Sequence, residues 1–325
     1  MNVKHFPKNY TLIIGSSNMD LIIYSERLPK PGETLTGGRF EQHLGGKGAN
    51  QSVASARSGS KTYFIGKIGE DEYGNHMISQ LKRENVETDY IMRDQTPSGI
   101  AFIMVDKNGE NMISVAPGAN ALLNPQEIEK RKELIMKASS LVVQMEIPTE
   151  TIVKIFEIAS EGKVIKILNP APLKELPKQV FTNIDIIIPN EGELYQMHKL
   201  QNLGELKEEG NDKIIKASQN IINLGVDTVI TTLGSKGCFV HNQTKVLSKS
   251  FPAYKVRAID TVGAGDCFNG VLASMLTQEK NLQESIKYAV SAASIAVTRK
   301  GAQDSMPFYE EIEKRYQSFK QKPEE

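Results

Sequence analysis

Ile259-Asp260-Thr261-Val262-Gly263-Ala264-Gly265-Asp266-Cys267-Phe268-Asn269-Gly270-Val271 carries more chemical information than any other stretch of this chain. Two glycines flank a small residue, and a carboxylate follows at once. The residues after it place Phe268, Val271, Leu272 and Met275 along one side of a helix. A glycine turn feeding a helix start leaves backbone N–H groups unpaired, and the aligned peptide dipoles favour an anion there. Asp266 in the first turn would ordinarily gain from that dipole, but it repels a phosphate bound at the same place. A general base facing an alcohol, beside a phosphoryl group in transfer, gives the carboxylate a reason to be there. An ordinary glycine turn with an N-terminal aspartate is the alternative.

Upstream of that turn the chain alternates strand and helix. Helix is expected over 125–137, 149–161 and 211–223, and strand over 140–143, 164–168, 184–188 and 226–232. Residues 256–260 could run along the sheet edge, and helices follow at 267–276 and 283–298. Strands written as continuous β-branched runs between helices predict a parallel sheet covered on both faces, with ligands beyond the carboxyl ends of its strands. Glu146, Asn190 and Gly234 fall at such ends. In the first third, 10–15 reads as a strand, 20–24 as its continuation after a polar break, and 62–68 as a second strand. Residues 28–40 read as loop, and 47–58 and 74–84 as helices. Residues 99–105 and 111–116 flank Asp106-Lys107-Asn108-Gly109-Glu110, a hairpin signal.

Composition narrows the function classes. At 325 residues with 39% hydrophobic content, the chain can bury a sizeable core as one large domain or two small ones. Lys+Arg and Asp+Glu both number 39, which argues against a broad nucleic-acid surface. Cys238 and Cys267 are too few for a disulfide framework or a cysteine zinc site, and Cys267 reads as a small buried thiol. The five histidines lack metal-ligand spacing. No apolar run reaches the roughly 20 residues of a membrane helix, and the start lacks a signal-peptide core. The expectation is a cytoplasmic protein without nucleic-acid or membrane partners.

Several further segments could carry chemistry. Gly45-Gly46-Lys47-Gly48-Ala49-Asn50 is a second glycine turn entering a helix, without P-loop spacing. Its Lys47 and Asn50 suit a polyol or carbonyl oxygen; a tight turn with an exposed lysine is the plainer reading. Asn18 and Asp20 alternate, so both project to one side, a natural pair for vicinal hydroxyls unless they form an Asx turn. Asn190 and Glu193 have the spacing of a capping box, or of an amide and carboxylate around a hydrated Mg²⁺. Thr232-Leu233-Gly234-Ser235-Lys236-Gly237 could bend amides and hydroxyls around a phosphate tail.

Together these pieces resemble the ribokinase, or PfkB, family of carbohydrate kinases. Both signatures of that family are present: Gly45-Gly46-Lys47-Gly48-Ala49-Asn50-Gln51 running to Arg57-Ser58-Gly59, and Asp260-Thr261-Val262-Gly263-Ala264-Gly265-Asp266. Gly15-Ser16-Ser17-Asn18-Met19-Asp20, Pro31-Gly32-Glu33-Thr34, Leu168-Asn169-Pro170-Ala171-Pro172 and Ala296-Val297-Thr298-Arg299-Lys300-Gly301-Ala302-Gln303 resemble the ribose-phosphorylating members, and the likeness runs from about residue 12 to 308. The resemblance implies an α/β, three-layer fold with a mainly parallel central sheet. It implies one kinase domain over 1–325 with a small β-sheet lid from about 20–40 and 99–116, and a homodimer through that lid.

It also implies ATP-dependent phosphorylation of D-ribose at the 5-hydroxyl. Asp266 would be the base, with Gly263, Ala264 and Gly265 as the anion hole. Asn18, Asp20, Gly46, Lys47, Asn50, Glu146 and Asp266 would hold the sugar. Asn190, residues 232–237 (Thr232, Leu233, Gly234, Ser235, Lys236, Gly237), Gly265 and Asp266 would hold ATP, with Glu193 near its hydrated Mg²⁺. An activating K⁺ would sit among the side chains of Asp260 and Ser305 and the carbonyls of Val262, Ala296, Arg299 and Gly301. Val290 departs from the Asn or His that family members often place near adenine, and Met1 to Asn9 has no counterpart in the shortest members. A related kinase acting on deoxyribose, fructose or a nucleoside, and a non-catalytic sugar sensor, are the competing readings.

Overall fold

The computed structural model describes residues 9–243 and 247–320. The extension at 1–9 thus lies outside the described residues apart from Asn9, as does the tail at 321–325.

The first part of the chain runs β1 (Thr11–Ile14), β2 (Asn18–Tyr24), β3 (Arg39–Gly45), α1 (Lys47–Arg57), β4 (Thr62–Ile65), β5 (Lys67–Gly69), α2 (Glu72–Arg83), β6 (Val86–Glu87), β7 (Met92–Asp94), β8 (Gly99–Val105) and β9 (Asn111–Ala116). The second part runs α3 (Pro125–Glu129), α4 (Lys132–Met136), β10 (Ser140–Gln144), α5 (Thr149–Ala159), β11 (Ile165–Asn169), β12 (Ile186–Ile187), α6 (Glu191–Leu200), α7 (Gly210–Ile222), β13 (Thr228–Thr232), β14 (Cys238–Asn242), β15 (Leu247–Phe251), α8 (Ala264–Thr277), α9 (Leu282–Ala296) and α10 (Tyr309–Lys320).

Nine strands form one sheet in the order β15-β14-β13-β12-β11-β10-β1-β4-β6, parallel except at β14 and β15. Alternate residues of each strand enter opposite layers. Leu12 and Ile14 join Leu141, Val143 and Leu168 in a core with α3 to α7, whereas Ile13 joins Val142 and Ile167 in a core with α1, α8, α9 and α10. Both faces are covered, so the central strands β1 and β10 bury apolar side chains toward both layers, and the three-layer expectation holds.

A separate four-stranded sheet, β3-β2-β8-β9, carries the hairpin, whose two strands have the bounds read from the sequence. Here several expectations need correction. Residues 20–24 do not continue β1: the chain turns at Ser16 and Ser17 and β2 joins the small sheet, pairing β3 and β8. The small sheet therefore uses 18–24 and 39–45 rather than 20–40. The run 62–68 breaks at Gly66 into β4 and β5, which pair in different sheets. The helix over 125–137 divides at Lys130 and Arg131, and 184–188 forms only the two-residue β12. Residues 256–260 form no strand; the sheet edge is the antiparallel pair β14 and β15. Among the described residues no helix is long and apolar enough to cross a membrane.

Candidate active site

The chain leaves β1 toward β4 and β6 on one side of the sheet and returns through β10 to β13 on the other. That reversal of strand order lies between β1 and β10, where open α/β sheets bind ligands beyond the strand ends. Just past β1, Asn18 and Asp20 lie on one face of β2. Asn18 Oδ1 accepts from Asn120 Nδ2 at 2.9 Å. Just past β10, Glu146 Oε2 accepts from the Lys47 backbone N–H at 3.0 Å and from the Ser16 hydroxyl. Gly46 caps α1 with φ 86°, and a Cβ there would stand 2.6 Å from Ser17 Cα, so this turn packs against the end of β1 only as glycine.

Asp266 lies in the first turn of α8 with 7% of its surface exposed. Its Oδ2 accepts from Asn50 Nδ2 and its Oδ1 from Gln51 Nε2, both at 2.9 Å. The helix begins at Gly263, whose φ of 74° is left-handed. The N–H groups of Gly263, Gly265 and Asp266 find no acceptor among the described residues, and that of Ala264 reaches Thr261 O at 3.3 Å. Unpaired amides at a helix start are an anion site. The Cys267 thiol is fully buried and burial pushes its pKa up, so it stays a protonated core residue.

The charges reinforce one another. Burial, then the neighbouring Glu146 carboxylate, pushes Asp20 up to about 7, against the pull of His43. Burial opposes the Lys47 ammonium, but Asp266, Glu146, Glu193 and Asp20 together outweigh it and hold its pKa above the ordinary lysine value. Burial also raises Glu193, partly offset by the Asn190 N–H and by Lys47.

A cavity of about 720 Å³ adjoins this cluster. Lys47 and Asp266 line it, whereas Asn18, Asp20, Gly46, Asn50 and Glu146 do not. The lysine and the aspartate thus stand at the boundary between the cavity and the polar cluster. Asn190, Glu193, Thr232, Gly234, Ser235, Gly237, Gly263, Ala264 and Gly265 line it too. Leu233 and Lys236 fall outside the lining; Leu233 packs against the hydrophobic core instead. The Asn190–Glu193 capping box is formed at the start of α6, with both bonds at 2.8 Å. Sequence reasoning missed the apolar end of the cavity, where Tyr254, Val256, Phe268 and Val297 join Val290. It also missed Gln51 beside Asp266.

Asp260 joins the two segments expected to hold a cation. Its Oδ1 accepts from Val262 N at 3.0 Å and its Oδ2 from Gly301 N at 2.9 Å. The Ser305 hydroxyl donates to Ala302 O at 2.8 Å, and Ala302 Cα lies 3.0 Å from where a Cβ on Gly263 would stand.

Residues 8–308 match the model of the pfkB family of carbohydrate kinases. The chain is 38% identical over 309 residues to a ribokinase of Staphylococcus aureus, covering 94% of this chain and 98% of that one. It is 35% identical over 302 residues to a deoxyribokinase of Salmonella typhi, covering 92% and 96%. The structure of Arabidopsis thaliana ribokinase complexed with ribose and ATP superimposes with a TM-score of 0.88 at 30% identity, covering 95% of this chain and 99% of that one.

Proposed function

The chain belongs to the pfkB family of carbohydrate kinases, and from that premise we propose that it transfers the γ-phosphoryl group of ATP to the 5-hydroxyl of D-ribose. The observation that carries this reading is the place of Asp266. It is buried, anchored by two side-chain amides, and set between helix-start N–H groups without an acceptor among the described residues and a cluster of carboxylates and amides suited to hydroxyl groups. Ribose binds beside Asn18, Asp20, Asn50 and Glu146, whose carboxylates accept from vicinal hydroxyls. The nucleotide fills the cavity, with adenine toward Val290 and Val297 and the phosphates toward Gly263, Ala264, Gly265 and Lys47. Asp266 accepts the 5-hydroxyl proton as the new O–P bond forms and the bond to the ADP oxygen breaks. The helix-start amides and Lys47 stabilise the charge spread over the phosphoryl oxygens.

The oxygen-rich donor set at Glu193 and Asn190 fits the hydration shell of a Mg²⁺ on the phosphates; no group of three or more His, Cys, Asp or Glu among the described residues is placed to hold a metal ion. Such an ion supplies neutralisation of the phosphate charge. Asp260 and Ser305, with the carbonyls of Val262, Ala296, Arg299 and Gly301, would hold K⁺. Asp260 already ties both segments together, which supports a shared site.

The small sheet acts as a lid over the sugar and as the contact of a homodimer. The strand register divides the apolar residues of the hairpin between its two faces. Phe102 pairs with Ser114 and Ile103 with Ile113, so Phe102 lies on the face opposite Ile113 and Val115. Phe40 and Phe102 on one face, and Ile113 and Val115 on the other, are each 50–57% exposed, more apolar surface than an isolated small sheet would leave wet.

Deoxyribose is a second acceptor to consider, favoured by the deoxyribokinase likeness. Measuring ADP formation across a panel of D-ribose, 2-deoxyribose, fructose and nucleosides tests the assignment. D-Ribose should give the highest kcat/KM. A sugar-independent ATPase, or no turnover with any sugar, would refute the reading.

A further inference from the structure

Asp266 is held by more than its own helix. Gln51, fully buried in α1, donates one hydrogen of its Nε2 to Asp266 Oδ1 at 2.9 Å and the other to Asn169 Oδ1 at 3.1 Å. Gln51 Oε1 accepts from Gln144 Nε2 at 2.6 Å, and Asn169 Nδ2 donates to Ile188 O at 3.1 Å. Gln144 and Asn169 end β10 and β11 as cross-strand partners, so their amides emerge on the same side of the sheet.

The direction of every amide in this chain follows from the charge at its end. A carboxylate only accepts hydrogen bonds. Gln51 must therefore turn its NH₂ toward Asp266 and its oxygen toward Gln144, and Gln144 must present its own NH₂ in turn. The consequence shows at the far end. Gln144 Oε1 is buried without a donor among the described residues, 1.9 Å from where a Cβ on Gly15 would stand. A buried unpaired acceptor is destabilising. A leucine at the end of β10 would avoid it, so stability alone does not account for a glutamine here.

We infer that Gln51 is a positioning residue for phosphoryl transfer, holding the Asp266 carboxylate toward the acceptor hydroxyl, and that Gln144 locks the Gln51 amide in the orientation this requires. The inference rests on the reading of Asp266 as the base. Hydrogen bonds to a carboxylate favour its ionised form. Lys47 from α1, Glu193 from α6 and Asp20 from β2 are the other charged groups facing Asp266, and all remain in the variants below.

The test is the pH profile of kcat for Gln51→Leu, Gln144→Leu and the near-isosteric Gln51→Glu, with Asp266→Asn as reference. Loss of one charge-assisted bond should lower kcat roughly 10- to 100-fold and move the acid limb upward by about one unit or more. The KM values for ribose and ATP should stay close to those of the parent. Gln144→Leu should shift the limb in the same direction but less, and Gln51→Glu should shift it furthest, because two adjacent carboxyls share a proton. If Gln51→Leu does not fold, the other two variants carry the same test. An inactive Asp266→Asn, together with folded variants whose acid limb matches the parent, overturns the inference, even if kcat falls. A fully active Asp266→Asn instead overturns the base reading beneath it.

Discussion

Ribose binding should be linked to ionisation of Asp20. In the ligand-free protein, burial and Glu146 push this carboxyl from 3.8 up to about 7, an electrostatic penalty on the order of 4 kcal/mol for the ionised form. Sugar hydroxyls donate to a carboxylate, so they select that ionised form. Near pH 7 about half of the protein is competent, and at pH 6 about a tenth. Ribose should therefore bind roughly tenfold more weakly at pH 6 than at pH 8, while ATP binding changes far less. The sign also holds for stability. A carboxyl whose folded pKa is raised favours the folded state at low pH, and that contribution is lost as pH rises from about 4 through 7. Titration calorimetry in two buffers of different ionisation heat reads the linkage directly: near pH 7, binding should release about half a proton. Asp20→Asn should abolish the release, flatten the pH dependence, and weaken ribose on the order of 10- to 100-fold at pH 8. Equal ribose affinity at pH 6 and pH 8, with no proton released, would show that ribose binding is not linked to Asp20.

Phe102→Asp should give a monomer by light scattering, since the substitution puts a charge on an exposed apolar face; a variant still dimeric and active would show that this face is not the interface. Turnover should fall when Na⁺ replaces K⁺ at equal ionic strength and constant Mg²⁺, and Asp260→Ala should remove that response; equal rates in K⁺, Na⁺ and a large organic cation would rule the cation site out. Gly263→Ala should lose most activity while ribose binding persists, because φ 74° and a Cβ contact of 3.0 Å with Ala302 Cα force the anion-binding turn to move; a normal kcat would show that the turn tolerates a side chain.

What was legible in the sequence follows from periodicity and turn chemistry. Asp106 to Glu110 fixed the hairpin bounds, and the long apolar patterns of α8 and α9 were read with ends shifted by at most three residues. Alternation cannot say which sheet a strand joins, so the polar Ser16 and Ser17 looked like a pause rather than a departure to another sheet. Gly66 hid a similar change of sheet between β4 and β5. The edge pair β14 and β15 was missed because Cys238–Asn242 and Leu247–Phe251 mix polar residues into short runs. At the site, glycine turns and strand-end carboxylates announced themselves locally. Gln51 did not, because an amide within a helix looks like solvated surface. The available signal was Gln144, a polar residue closing the otherwise apolar Leu141-Val142-Val143 in a fully buried strand.

In the proposed mechanism Asp266 deprotonates a ribose hydroxyl as it receives the phosphoryl group. Following ADP formation with and without D-ribose, in the parent and in Asp266→Asn, tests it most directly, with ³¹P NMR to locate the phosphate on the sugar. The parent should show ribose-dependent turnover giving the 5-phosphate. Asp266→Asn should lose turnover on the order of 10²- to 10⁴-fold, with both ligands still bound. Near-normal turnover by Asp266→Asn, or ADP formation indifferent to ribose, would contradict that mechanism.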